Sequence, residues 1–368
     1  HAESRRQRQM CIRDRLWTEF EHRADYGPVV YKGERKKGKR GVAHPDVPEP
    51  FSSIGQIDGS YGPFRYLRSS EKINEQLSWA YGGSRGYKEF KYNSEDDRDL
   101  TPDEINAQWA EDKLSELASS DNKEPFFLAV GFVRPHTPLI APQKYFDLYP
   151  LEDIQLANIL ENDKEDTYFH LEDQFETKER RTRSIESFVN LMKSYKDPYE
   201  ALSKYTQAYL ACVSAVDDNI GQVINAIENS ELKDNTIIVL VSDHGWTMGE
   251  KDHVYKNSLW EESTRVPLII RAPNAISGAQ VNHPVSLIDI YPTLLELAGL
   301  DTETKKNDKG KSLDGYSLVP FLKDPETKDW DGPEAALTVV YSSDNNKNKP
   351  ANHHYSIRTK DWRYIIYD

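Results

Sequence analysis

The most regular pattern of apolar residues lies in the middle of the chain. Between residues 205 and 227, apolar side chains recur mainly at spacings of three and four, which predicts a long amphipathic helix. Cys212 falls on the apolar face of this helix and is predicted to be a core residue. A second helix is predicted to follow Thr101, where TPDE supplies an N-cap, a proline at the first helical position and a capping-box glutamate, Glu104.

Continuous apolar runs typical of strands buried on both faces occur at residues 125–133, 236–242 and 265–271. A further helix is predicted over residues 286–300, with Gly299 at its end. Because helices and strands alternate, the sequence predicts an α/β fold with a mostly parallel sheet and helices on both faces.

The two ends of the chain differ from this central part. Residues 1–15 are rich in arginine and lack any apolar period, and their MCIRDR resembles a translated sequencing adaptor, so we expect a non-native leader. Residues 16–335 are predicted to form one α/β domain with a charged insertion at 151–198. Residues 336–368 end in alternating apolar and polar positions and are expected to begin a small antiparallel subdomain that is cut short.

Composition and charge exclude several classes of partner. The chain has 61 acidic and 47 basic residues, a formal net charge of -14, which disfavours nucleic acid and anionic membranes. No apolar run approaches the roughly 20 residues that cross a bilayer. The two cysteines, Cys11 and Cys212, offer no disulfide framework. The basic run at 32–40 is interpreted as a solvated loop, so a polyanionic substrate would need a local basic pocket.

Candidate catalytic residues follow two of the predicted strands. In GFVRPHTPL, His136 carries an imidazole that can protonate a leaving alkoxide, although a lone histidine is more often structural. In SDHGWTMGE, Asp243 and His244 are adjacent oxygen and nitrogen ligands for a cation, and the nearby Lys256 can reach an anion. Together these groups suit the transfer of a charged tetrahedral group such as sulfate or phosphate.

Five segments, in this order, resemble sulfatases of the alkaline-phosphatase superfamily, and the iduronate 2-sulfatase branch most closely. They are PFFLAVGFVRPHTP, SDHGWTMGE with Lys256, TRVPLI, DIYPTLLELAG and YSIRTKDWRY, and the resemblance spans most of residues 101–368. It implies an alkaline-phosphatase-like fold and hydrolysis of a sulfated carbohydrate in the periplasm or outside the cell.

The resemblance also implies roles for individual residues. Asp243 and His244 would bind a calcium ion, although nitrogen is not the ligand that calcium prefers, so the identity of the metal stays open. His136 and Lys256 would contact the sulfate ester and its leaving group. Two further residues are implied at the edge of the pocket: Arg134 and Trp246.

The nucleophile of the family is a formylglycine made from a cysteine or serine in a Cys-x-Pro-x-Arg context. This sequence contains neither pattern, and CIRDR at 11–15 lacks the proline. We therefore expect the nucleophile and its paired aspartates to lie outside these residues, and the 368-residue chain alone to show no sulfatase turnover. Two alternatives stay open: a phosphodiesterase or phosphonate monoester hydrolase of the same fold, and a non-catalytic relative that binds sulfated glycans.

Overall fold

The structure is a computed structural model of the 368-residue chain. It describes residues 19, 25–32, 41–65, 67, 77–83, 86–121, 124–165, 167, 183–303, 305, 308, 310–341 and 353–367. The predicted leader, most of the basic run at 32–40, and residues 168–182 of the predicted insertion lie outside the described residues. The chain divides into two compact units, one within residues 1–155 and 190–230 and the other within 156–189 and 231–368.

The strands of the first unit form one antiparallel sheet and one short parallel pair. They are β1 (Val29–Lys32), β2 (Gly41–Val42), β3 (Tyr61–Pro63), β4 (Leu77–Gly83), β5 (Gly86–Glu89) and β6 (Leu139–Ala141). The sheet has the order β2-β1-β4-β5, and β3 pairs in parallel with β6. Beside the sheet, the Phe64 ring stacks on Phe90 at 5.5 Å and meets Trp79 edge-on at 5.3 Å.

Helices α1 (Pro102–Ser119), α2 (Gln143–Phe146), α3 (Arg183–Lys193) and α4 (Pro198–Glu228) follow. The capping box predicted at the start of α1 is confirmed, because Thr101 and Glu104 each accept a hydrogen bond from the other's backbone N–H. The long amphipathic helix is confirmed as α4, and Cys212 is fully buried in it. Helix α1 packs against α4.

The second unit contains short strands and short helices. Its strands are β7 (Ile238–Val241), β8 (Thr247–Met248), β9 (Val254–Tyr255), β10 (Leu268–Arg271), β11 (Ala336–Tyr341), β12 (His353–Arg358) and β13 (Arg363–Ile366), and its helices are α5 (Glu261–Thr264), α6 (Ile290–Leu297) and α7 (Val319–Lys323). Gly299 ends the predicted helix in a left-handed conformation, with φ at +64°.

The predicted antiparallel strands near the C-terminus are confirmed as a sheet of order β11-β12-β13. Leu337 pairs with Ile357, and Ile357 pairs with Tyr364, so the three side chains form one row on one face of this sheet. All three are exposed, at 56%, 43% and 65%.

The buried strand predicted over residues 125–133 is wrong. This segment has no strand hydrogen bonding, and Phe127 is 67% exposed. The segment is apolar, as the sequence indicates, but a strand also needs a partner. No strand in the described residues pairs with this segment. Its carbonyl at Gly131 instead accepts a hydrogen bond from the Asn106 side chain at 2.8 Å.

The α/β class is confirmed by the mixture of helices and strands, whereas the strand pairing found within the described residues is mainly antiparallel. β7 pairs antiparallel with β10, with Leu268 opposite Val241. A parallel pair needs a crossover that returns the chain to the starting edge, usually through a helix, and the only α-helix between β7 and β10 has four residues. One face of the pair is open, since Ile269 is 59% exposed.

No helix within the described part of the chain combines the length and the apolar character that a membrane span requires.

Candidate active-site loops

The loop that contains the predicted metal ligands leaves the end of β7 and lies directly on helix α5. The N–H of Gly245 donates to the carbonyl oxygen of Ser263 at 2.8 Å, and the N–H of Trp246 donates to that of Glu262 at 2.7 Å. A Cβ atom at Gly245 would be 1.9 Å from the carbonyl oxygen of Glu262. Only glycine therefore allows this close approach of two backbone segments.

Asp243 and His244 direct their side chains toward one another at this strand end. Asp243 Oδ2 lies 3.5 Å from His244 Nε2, and the Asp243 side chain is 86% exposed. His244 Nδ1 is 3.0 Å from the carbonyl oxygen of Gly245. Because a carbonyl only accepts, Nδ1 carries the proton in the neutral imidazole, and the electron pair lies on Nε2.

This arrangement fits a divalent cation, because a carboxylate oxygen and an imidazole electron pair lie close together at an accessible position. The two side chains form only part of a coordination shell. Among the described residues, no cluster of three or more histidine, cysteine or acidic side chains is placed to hold a metal ion.

Lys256 reaches this region through a β-hairpin. Strands β8 and β9 pair with Thr247 opposite Tyr255, and the Thr247 hydroxyl donates to the Tyr255 carbonyl oxygen at 2.8 Å. Since Lys256 directly follows Tyr255, the register returns it to the level of Trp246, next to the loop of the predicted metal ligands. The half-buried Lys256 thus lies on the hairpin that directly follows Asp243 and His244.

Trp246, predicted at the pocket edge, is buried, with 9% of its surface exposed. Its ring meets that of Tyr255 edge-on, with 5.3 Å between the centroids. This contact joins the loop to the hairpin, so Trp246 supports the loop from within the protein.

The tip of the hairpin is held by the predicted charged insertion. Asp163 accepts hydrogen bonds from the backbone N–H of Lys251 at 2.8 Å and from its Nζ at 3.1 Å. Lys251 has φ at +54°, a left-handed conformation that is uncommon for a residue with a side chain. Beside it, burial raises the pKa of Glu250 and of Asp252.

The loop that contains His136 belongs to the first unit and is fastened by helix α1. The buried Asp103 carboxylate accepts hydrogen bonds from the N–H groups of Val133 at 2.7 Å and Arg134 at 2.9 Å. Asp103 lies in the first turn of α1, where a carboxylate also interacts favourably with the helix dipole.

His136 itself is half-buried, and its Nδ1 lies 2.8 Å from the carbonyl oxygen of Thr137. This contact places the proton of the neutral imidazole on Nδ1. Its ring lies 5.0 Å from that of Tyr26, and the Thr137 hydroxyl donates to Asp58 at 2.6 Å. The orientation of the imidazole is therefore set by neighbours on several segments.

Arg134, predicted at the pocket edge, uses its guanidinium to hold the backbone. Nε donates to the carbonyl oxygen of Ile140 at 3.0 Å, and Nη2 donates to those of Tyr26 and Gly27 at 3.3 and 3.1 Å. Arg134 thereby joins the segment before β1 to the loop of His136.

The sequence-predicted site residues fall into both units. Asp243 and His244 are brought together at the end of β7, and Lys256 follows on the adjoining hairpin. His136 and Arg134 lie in the first unit. Sequence reasoning missed Asp103, which carries no motif of its own; the only signal was its place in the first turn of a capped helix.

Two family profiles match the chain. The profile described as Sulfatase matches residues 57–300, and the profile described as N-sulphoglucosamine sulphohydrolase, C-terminal, matches residues 249–368. A protein named Sulfatase from Formosa agariphila is 34% identical over 322 residues, which cover 85% of this chain and 55% of that protein. Iduronate 2-sulfatase from Mus musculus is 29% identical over 320 residues, which cover 72% of this chain and 55% of that protein. The chain thus spans about half the length of these relatives.

The fold of the chain is also similar to that of solved structures. The phosphonate monoester hydrolase of Agrobacterium radiobacter superposes with a TM-score of 0.55 and 26% identity, over 71% of this chain and 52% of that one. The similarity to solved structures confirms the predicted alkaline-phosphatase-like fold class.

Proposed function

Because the chain belongs to the sulfatase family, we propose that the protein is a sulfuric ester hydrolase that acts on a sulfated carbohydrate. The observation that carries the proposal is the close approach of Asp243 and His244 at the end of β7, with Lys256 on the adjoining hairpin. The carbohydrate part rests on the similarity to iduronate 2-sulfatase. Sulfated carbohydrate polymers occur outside the cell, which supports a location of the protein in the periplasm or outside the cell.

In this proposal Asp243 and His244 hold a divalent cation, for which the family resemblance suggests calcium. When bound, the cation supplies positive charge to the nonbridging oxygens of the sulfate group. His244 contributes the electron pair on Nε2, and the hydrogen bond from Nδ1 to the Gly245 carbonyl keeps the ring in that orientation.

Lys256 and His136 act on the anion and its leaving group. The ammonium group of Lys256 binds a sulfate oxygen, and charged donors of this kind stabilise the negative charge that grows as the ester bond breaks. The imidazolium of His136 donates its proton to the departing alkoxide oxygen, which leaves as an alcohol. Arg134 and Trp246 support these groups indirectly, by shaping the loop of His136 and the base of the hairpin.

The nucleophile belongs to the same proposal. The family resemblance implies a formylglycine, and a hydroxyl of its hydrate would supply the oxygen that attacks the sulfur atom. The Cys-x-Pro-x-Arg motif of this group is not among residues 1–368.

The proposal is tested with a protein of the length of its relatives, assayed for sulfate release from an aryl sulfate and from sulfated sugars. We expect turnover, and a loss of at least about 100-fold in Asp243→Asn and in Lys256→Gln. Lys328→Gln, which removes an exposed charge in the same unit, is the matched control. Unchanged turnover in both site variants would contradict the assigned roles.

A second candidate is a phosphonate monoester hydrolase, favoured by the 26% identical structure from Agrobacterium radiobacter. The two reactions place similar charge on a tetrahedral group, so the metal ligands and Lys256 would serve either one. Rates on an aryl sulfate and on an aryl phosphonate separate them. A large preference for the phosphorus ester would overturn the sulfatase assignment.

A further inference from the structure

The position of the metal-ligand loop depends on a very short helix. Two N–H groups of the loop, those of Gly245 and Trp246, donate to carbonyl oxygens of α5 at 2.8 and 2.7 Å. Helix α5 has four residues, and a single turn is not stable alone in water because nucleation fixes several residues for one hydrogen bond. Whatever holds α5 therefore also holds the loop.

Arg363, the first residue of β13, contacts α5 at both ends. Its Nη1 donates to the Leu259 carbonyl oxygen at 2.7 Å and to the Thr264 hydroxyl at 2.8 Å, and its Nη2 donates to the Glu261 carboxylate at 2.6 Å. Nη1 also donates to the Ser356 hydroxyl on β12 at 3.0 Å. One guanidinium thus joins the chain before the helix, its first residue and its last residue to the C-terminal sheet.

The contact between Arg363 and Glu261 is partly buried, since the Glu261 side chain is 33% exposed. The side chain of Arg363 is 16% exposed, and Arg358 adds a second hydrogen bond to the same Glu261 oxygen at 3.0 Å. Burial would raise the pKa of Glu261, but the hydrogen bonds from Arg363 and Arg358 outweigh it, so the pKa lies below its ordinary value. Arg265 also faces Glu261, at 3.7 Å, but is 76% exposed.

We propose that Arg363 is a positioning residue for the loop of Asp243 and His244. By binding both ends of α5, it fixes the two carbonyl groups to which Gly245 and Trp246 are bound. The inference rests on the proposed function only for the cation, since the contacts of Arg363 do not depend on which ligand the loop binds.

The test is hydrogen exchange, followed by mass spectrometry, in Arg363→Lys and Arg363→Ala. Lysine keeps the positive charge beside Glu261 but lacks the planar fork that reaches several acceptors at once. We expect the amides of Gly245 and Trp246 to exchange about tenfold faster in Arg363→Lys, and faster again in Arg363→Ala. The exchange rates of the amides in α6 should stay unchanged. Unchanged exchange at these two amides, or equal acceleration throughout the second unit, would overturn the proposal.

Arg265→Ala is the matched control, because it removes an arginine that faces the same carboxylate without binding the backbone. We expect it to leave exchange at Gly245 unchanged, and acceleration equal to that of Arg363→Ala would overturn the proposal. Calcium titration by calorimetry gives an independent readout, with weaker binding expected in Arg363→Lys. If the unsubstituted protein binds no calcium, the assigned cation is wrong, whereas exchange at Gly245 still decides the role of Arg363.

Discussion

Gly245 approaches Glu262 so closely that a Cβ atom on the glycine would lie 1.9 Å from the carbonyl oxygen of Glu262. That distance is far below van der Waals contact, and the obstructing atom belongs to the backbone, which cannot rotate away as a side chain can. The loop and helix α5 can therefore approach this closely only because residue 245 has no side chain.

We predict that Gly245→Ala separates the loop from α5 and lowers the free energy of unfolding by about 1–3 kcal/mol. The N–H groups of Gly245 and Trp246 would lose their acceptors as the segments move apart. Urea unfolding measures the change in stability, and calcium titration measures the change in calcium affinity expected at Asp243 and His244. Stability and calcium affinity equal to those of the unsubstituted protein would contradict the prediction that this close contact matters for either property.

Gly221→Ala is predicted to have the opposite effect. Gly221 lies within helix α4, and a Cβ atom there would meet no atom within 4 Å apart from its chain neighbours and the backbone of its own helix. Alanine restricts the unfolded chain and is a better helix former, so we expect stabilisation by about 0.5–1 kcal/mol. A higher urea midpoint for Gly221→Ala would confirm the stabilisation. A lower midpoint would show that the added methyl group does not fit at this position.

Asp103→Asn is predicted to loosen the loop of His136. The carboxylate accepts two backbone N–H groups, from Val133 and Arg134, and an amide would place its own N–H against one of them. We expect a loss of about 1–3 kcal/mol and faster amide exchange at both residues. Asp112→Asn, at an exposed position of the same helix, is the control and should change stability by less than about 0.5 kcal/mol.

Glu104→Gln tests the electrostatics at the start of α1. Arg98 donates two hydrogen bonds of 2.7 Å to Glu104. Burial would raise the pKa of Glu104, but Arg98 and the hydrogen bonds at Thr101 together outweigh it and hold the pKa below the ordinary value of 4.5. A carboxyl with a lowered folded-state pKa stabilises the fold above its unfolded-state pKa, and this contribution is lost as pH falls through the folded-state value.

We therefore expect Glu104→Gln to lower the free energy of unfolding by about 2 kcal/mol at neutral pH. The difference from the unsubstituted protein should shrink as pH falls below 4.5. Glu200→Gln, which breaks an exposed pair with Lys204 on α4, is the matched control and should cost less than about 0.5 kcal/mol. A difference that does not vary with pH would contradict the role given to ionised Glu104.

Local signals in the sequence were sufficient for the two long helices, α1 and α4, but not for α2, α3, α5 and α7. The cap at Thr101 and Glu104 and the apolar face around Cys212 act over three or four residues, so composition and spacing identify α1 and α4. The pairing of the strands could not be predicted from local signals. An apolar run such as 125–133 shows that a segment is apolar, but its partner is set by distant parts of the chain.

The candidate site shows the same limit. Asp243 and His244 were identified from their motif, and the structure places their side chains 3.5 Å apart. The contacts that hold these loops were not foreseen, because they join distant residues through backbone groups that every residue carries. Neither the carbonyl of Ser263 nor the carboxylate of Asp103 has a sequence pattern that names its partner.

The row of Leu337, Ile357 and Tyr364 on the C-terminal sheet has a practical meaning for work in solution. Apolar side chains in direct contact with water attract one another more strongly on warming and in ammonium sulfate. Samples kept cold, dilute and free of such salts will stay dispersed more readily than samples concentrated by salting out. A lysine in place of Leu337 would interrupt the row and improve solubility.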